Sequence, residues 1–176
     1  MKTLILYFTT DGQTKKIAER LAETITHEVE LISLKDQAVN FAEKIANADQ
    51  IVIGASIRYG HFSPLVYQFV EQHYVALNQK KTAFYGVNLT ARKENRNTPE
   101  TNTYVRKFLA KVKWQPNHVE VIAGALFYPR YKTFDRIMIR FIMKITKGET
   151  DTSKEYEYTN WQQVEEFGKK LSEQLI

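Results

Sequence analysis

The sequence predicts an α/β protein with a five-stranded parallel sheet covered by helices on both faces, and three observations carry that reading. Five runs rich in apolar and β-branched residues stand at 3–8, 29–34, 51–55, 82–89 and 119–125. Segments with apolar residues at helical spacing lie between most of them. Neither an internal repeat nor a linker rich in Gly, Pro or Ser divides the series, so residues 1–176 read as one domain.

Each element has its own signal. Residues 3–8 form the first strand, and the polar turn from Thr9 to Thr14 leads into a helix with Ile17, Ala18, Leu21, Ala22 and Ile25 on one face. Residues 29–34 are the second strand, 41–48 a short helix and 51–55 the third strand. Ser63 caps the next helix, Pro64 suits its first turn, and Leu65, Phe69 and Val70 face inward. Residues 82–89 are the fourth strand, with Tyr85 in or near the core. Thr101 or Asn102 caps a helix through Phe108, Leu109 and Val112, and residues 119–125 are the fifth strand. Residues 126–160 read as irregular apart from one helical piece. Asn160 then caps a closing helix through Val164, Phe167 and Leu171, with Trp161 as a packing anchor.

Composition bounds the chemistry. The 176 residues are 43% hydrophobic and 26% charged, which excludes collagen-like and wholly disordered chains. Cysteine is absent, so disulfides, thiol nucleophiles and thiolate metal sites are excluded. His27, His61, His73 and His118 show no ligand spacing, and no metal is expected. The apolar part of the start is too short for a secretory leader, and no uncharged stretch reaches 18 residues. Residues 80–150 hold 15 Lys/Arg against 5 Asp/Glu, while the remainder holds 10 against 15. That basic half suits an anionic membrane, a polycarboxylate ligand or nucleic acid.

The turn Thr9-Thr10-Asp11-Gly12-Gln13-Thr14 precedes a helix N-terminus. Converging amides, hydroxyls and a glycine there fit a phosphate, although an ordinary capped helix has the same pattern. The lysine and glycine frame of a nucleoside-triphosphate loop and the three-glycine dinucleotide fingerprint are both missing.

This turn resembles the phosphate loop of flavodoxins, Thr/Ser-x-Thr/Ser-Gly-x-Thr, in Thr9, Gly12 and Thr14, with Asp11 in place of the middle hydroxyl. A carboxylate beside a phosphate is unfavourable unless it turns away. Further blocks resemble the bacterial menaquinone-dependent protoporphyrinogen oxidase family, flavodoxin-like enzymes of haem biosynthesis. They are Gly54-Ala55-Ser56-Ile57-Arg58-Tyr59-Gly60-His61, Asn88-Leu89-Thr90-Ala91-Arg92-Lys93, Ala123-Gly124-Ala125-Leu126, Tyr128-Pro129-Arg130-Tyr131 and Gly148-Glu149-Thr150-Asp151-Thr152. The resemblance runs from residue 1 to about 165.

It implies a three-layer flavodoxin-like sandwich with sheet order 2-1-3-4-5 and non-covalent FMN, the flavin carrying the redox step. The cofactor-binding residues expected are Thr9, Thr10, Asp11, Gly12, Gln13, Thr14, Ser56, Ile57, Arg58, Tyr59, Gly60, Asn88 and Leu89. For substrate carboxylates and a flat tetrapyrrole body, Arg58, Arg92, Lys93, Tyr128, Arg130 and Tyr131 are the candidates. His61 is the candidate proton carrier. The implied reaction takes protoporphyrinogen IX to protoporphyrin IX with menaquinone or ubiquinone as acceptor. An electron carrier of the flavodoxin type and a general quinone reductase are the alternatives.

Residues 126–150 are read as a basic amphipathic insert before the last helix. As a helix over 134–147, it sets Phe134, Ile137, Met138, Phe141, Ile142 and Ile145 on one stripe, with Ile139 and Met143 widening it. Arg136, Arg140, Lys144 and Lys147 form another. The pattern fits a helix packed on the body with a wet basic rim, a lipid- or quinone-facing surface, or a contact between copies. The membrane-facing candidates are Phe134, Ile137, Met138, Arg140, Phe141 and Lys144. Peripheral attachment to the cytoplasmic face of the inner membrane is expected, a homo-oligomer is allowed, and no nucleic acid is expected.

Overall fold

The apolar runs take neighbouring places in one sheet. In chain order the elements are β1 (Lys2–Phe8), α1 (Gln13–Thr24), β2 (Glu28–Ser33), α2 (Phe41–Ala46), β3 (Gln50–Arg58), β4 (His61–Phe62) and α3 (Pro64–Asn78). After them come β5 (Lys81–Asn88), α4 (Thr103–Lys111), β6 (His118–Ala123), β7 (Ala125–Phe127), α5 (Thr133–Ile145), β8 (Glu155–Glu157) and α6 (Trp161–Glu173). The computed structural model describes residues 1–173. The main sheet runs β2-β1-β3-β5-β6, all parallel, which is the expected 2-1-3-4-5 order with the small β4 added beside β3.

Side-chain alternation along each strand builds two cores. Leu4, Leu6, Ile51, Ile53, Phe84 and Val121 face α2, α3 and α4, where Ile45, Val66, Val70, Val105 and Phe108 meet them. Ile5, Val52, Tyr85 and Ile122 face α1 and α6, against Ile17, Leu21, Val164, Phe167 and Leu171. The three-layer sandwich follows, and the carboxyl ends of β1, β3 and β5 open onto one edge, where open parallel sheets bind ligands. Gly54 is required inside this sheet. A Cβ there would stand 1.9 Å from the ring of Tyr85, its register partner on β5.

The structure corrects several expectations. Strand β3 runs three residues beyond Ala55 and turns back into β4 through Tyr59 and Gly60, at φ 50° and 86°. Two left-handed residues in a two-residue loop match the twist of a hairpin. On α3, Val66 is fully buried and Leu65 only partly, because Ser63 and Pro64 set the phase of the first turn. The expected fifth strand breaks at Gly124, whose N–H donates to the Asn88 carbonyl and whose carbonyl accepts from Tyr158. Residues beyond it form β7, antiparallel to β8, so the segment read as irregular carries a second small sheet.

Leu126, Phe127, Tyr128, Tyr131, Ile139 and Met143 form a third core under that sheet. Helix α5 begins one residue before the expected 134 and ends two before 147. Lys147, at φ 56°, turns the chain so that the Gly148 N–H reaches the Met143 carbonyl at 2.8 Å. Asn102 and Asn160 accept from backbone amides at the starts of α4 and α6, as read, and α2 stops at Ala46 rather than residue 48. No described helix is long and apolar enough to cross a membrane.

Candidate functional site

A cavity of about 320 Å³ lies at the carboxyl edge of the sheet, and the three expected loops meet around it. The first is the turn between β1 and α1. The Thr9 hydroxyl accepts from the Gly12 N–H at 2.9 Å and closes the turn. Gly12 stands at φ 97° as the first half-turn of α1, a conformation that costs any other residue about 1 kcal/mol. Among the described residues no side chain caps α1, and Gln13 and Thr14 at its start line the cavity. Lys35 donates from Nζ to the Thr9 carbonyl at 2.6 Å, bringing a cation to the turn that pattern reasoning did not connect with it.

Gln13 is held from the far end of the chain. Its Nε2 donates to Glu157 at 2.7 Å and to Thr159 Oγ1 at 2.9 Å, and the Thr159 hydroxyl in turn donates to the Ala123 carbonyl. Strand β8 thereby braces the start of α1. Asp11 does turn away from the amides. Both of its oxygens take Arg58 Nη1, at 2.8 and 2.7 Å, and Arg58 Nη2 reaches Asp135 on α5 at 3.0 Å. Burial works against the Arg58 charge, and Asp11, Tyr59 and Asp135 together more than offset it, so its pKa rises.

Ser56, Ile57, Arg58, Tyr59 and Gly60 supply the second wall, and Asn88 and Leu89 the third. The Asn88 side-chain oxygen already accepts from the Ala91 amide, the Thr90 hydroxyl and Asn102 Nδ2. Its Nδ2 has no partner, and neither do Ser56 Oγ, Thr14 Oγ1 and Gln13 Oε1. Four buried polar atoms without partners on one cavity are costly unless a ligand meets them. A second hollow between α2 and α3, about 330 Å³, has none of these among the described residues. The set fits FMN: free amides and hydroxyls for a phosphate at the helix start, and donors from two strand ends for a polar ring edge.

The insert closes the cavity in a way the sequence did not reveal. Ile139, Ile142 and Met143 of α5 line it, as does Tyr104 of α4. Tyr131 also lines it, buried, its oxygen accepting from the Phe127 amide at 3.0 Å, and burial pushes its phenol up to about 12. The Arg58 guanidinium sits 5.2 Å from the Tyr131 ring and 5.5 Å from the Tyr59 ring.

Of the substrate candidates, Arg58 and Tyr131 line the cavity, and the other four are placed elsewhere. Tyr128 is fully buried beneath the insert and donates to the Glu149 carbonyl at 2.7 Å. Arg130 pairs with Glu155 through two nitrogens at 2.6 and 2.8 Å. Arg92 spans from the Leu89 carbonyl to Thr146, pinning the end of α5, and Lys93 follows it on the same turn outside the cavity. His61 is exposed beside the Tyr59 carbonyl and does not line the cavity.

Phe134, Ile137, Phe141 and Ile145 point outward at 59–70% exposure, with Ile142 at 38%. Met138 is partly exposed beside them, and Arg140 and Lys144 are exposed on the flank.

The flavodoxin domain family matches residues 4–153. The chain is 48% identical to Protoporphyrinogen IX dehydrogenase [quinone] of Escherichia coli K12, over 98% of this chain and 95% of that one. It is 47% identical to the protein of the same name from Leishmania major, over 94% of this chain and 72% of that one. Among solved structures, a flavodoxin from the domain Archaea superposes with a TM-score of 0.58 at 18% identity, covering 99% of both chains.

Proposed function

The chain belongs to the flavodoxin family, in the group of quinone-dependent protoporphyrinogen IX dehydrogenases, and from that premise we propose that it oxidises protoporphyrinogen IX to protoporphyrin IX. FMN is its cofactor, and menaquinone or ubiquinone its acceptor. The observation that carries the reading is the convergence of four unpartnered buried polar atoms on one cavity at the uncapped start of α1.

The amides of Gln13, Thr14 and Lys15, with the Thr9 and Thr14 hydroxyls, would hold the phosphate, and Lys35 adds positive charge to the same turn. Ser56 and Asn88 meet the polar edge of the ring, while Leu89, Ile139 and Met143 keep water from it. When bound, the flavin supplies two-electron redox chemistry. Each porphyrinogen gives up six electrons and six protons, and three quinones leave as quinols, so the reaction balances. Tyr59 and Tyr131 offer rings to the flat tetrapyrrole, and Arg58 stands between them. His61 has no part in this reading. A lipid-dissolved acceptor sets the work at a membrane, peripherally and on the cytoplasmic face of the inner membrane.

The test is anaerobic absorption spectroscopy of the purified, FMN-loaded protein. Added protoporphyrinogen should bleach the oxidised flavin bands, and added menaquinone should restore them. A yellow protein that ignores porphyrinogen yet accepts electrons from a protein reductase would replace this reading with that of an electron carrier.

A further inference from the structure

Ile142 belongs to two surfaces. With Ile139 and Met143 it lines the cavity, and at 38% exposure it is also the inner edge of the outward apolar face of α5. Phe134, Ile137, Phe141 and Ile145 continue that face at 59–70% exposure. So much large apolar surface on one helix marks an interaction site. Arg136, Arg140, Lys144 and Lys147 run along its flank, and none forms an ion pair among the described residues. The one carboxylate of the helix, Asp135, is turned inward onto Arg58.

These charges decide the occupant. Two copies meeting through this face would bring cations together with no carboxylate of α5 to answer them. An anionic bilayer answers them all, its head groups taking the basic flank while the apolar side chains enter the acyl boundary.

We propose that α5 seats on an anionic lipid surface and that Ile142 makes the cavity continuous with the hydrocarbon, so that a lipid-dissolved quinone enters sideways past this residue. The entry route rests on the quinone-dependent reading above; the lipid docking does not.

The absence of cysteine makes the test direct, since single labels can be placed anywhere. FMN-loaded protein with bimane at Ile142→Cys, Phe141→Cys or Val75→Cys, the last exposed on α3, is mixed with phosphatidylglycerol vesicles carrying a shallow spin-labelled lipid. Positions 141 and 142 should be quenched and 75 should not, and vesicles of phosphatidylcholine alone should bind at least tenfold less protein. The unlabelled triple variant Phe134→Ser, Phe141→Ser, Ile145→Ser should stop floating with vesicles while keeping its flavin and its turnover with a water-soluble short-chain naphthoquinone.

Quenching at 141 without 142 overturns the lateral route. Equal binding to neutral vesicles, no binding at all, or a dimer in solution that the triple variant dissolves overturns the lipid as occupant. Docking that persists in a protein whose reduced flavin no quinone reoxidises supports the lipid surface and removes the quinone reading on which the route depends.

Discussion

Arg58 Nη2 lies 3.0 Å from Asp135, which ties the end of β3 to the first turn of α5. The other terminal nitrogen of the same guanidinium holds Asp11, so a single cation spans the turn between β1 and α1 and the insert. The Tyr59 hydroxyl also donates to Asp135 and, with the Arg58 charge, holds its pKa below the usual carboxylate range.

Asp135→Asn should therefore free α5 while leaving the sheet intact. Amide hydrogen exchange in α5 should speed up roughly tenfold with protection in β3 unchanged. In the parent, this tie is complete above the ordinary carboxylate pKa and weakens as pH falls through the lower folded value. Acid should accordingly raise α5 exchange in the parent beyond the intrinsic trend and not in the variant. Equal exchange in both proteins at neutral pH would remove Asp135 as an anchor.

Thr14→Val keeps the shape of a buried side chain and deletes an unpartnered hydroxyl. FMN affinity, followed by the loss of free flavin fluorescence, should fall roughly ten- to hundredfold. The melting temperature of the flavin-free protein should stay the same or rise, because the hydroxyl gains nothing from the fold. Unaltered affinity would show that the phosphate is held elsewhere.

Gly54→Ala drives a methyl into the Tyr85 ring, whose hydroxyl reaches the Thr14 carbonyl at 3.3 Å. Urea unfolding should report a loss of about 3 kcal/mol. Adding Tyr85→Leu should recover part of it, a coupling that independent positions would not show.

The two faces of α5 should separate cleanly in stability measurements. Met143 is 1% exposed within the insert core, and its replacement by Ala should cost about 3 kcal/mol. Phe141→Ser, on the outward face, should change stability by no more than about 0.5 kcal/mol. A large loss at Phe141 would mean that the outward face packs on the protein.

The parallel strands were legible because each carries enough apolar residues to be buried on both faces. The β3–β4 hairpin was not, since Arg58, Tyr59, Gly60 and His61 offer no alternation to read. Strand β7 merged with the run before it, and its partner Glu155-Tyr156-Glu157 has one apolar position. At the site, the turn after β1 declared itself by its position and hydroxyls. Ile139, Ile142 and Met143 were hidden because α5 is apolar around more than half its circumference, and periodicity alone does not say which part faces in. Arg92, Tyr128 and Arg130 have the chemistry for a substrate, and tertiary contacts occupy them instead.

The brace from Gln13 to Glu157 and Thr159 joins residues 144 and 146 positions apart. During synthesis, every parallel strand has left the ribosome before this partner segment emerges. The nascent chain can thus lay down its sheet early, yet the turn at the head of α1 gains its final support only once Glu157 and Thr159 have emerged.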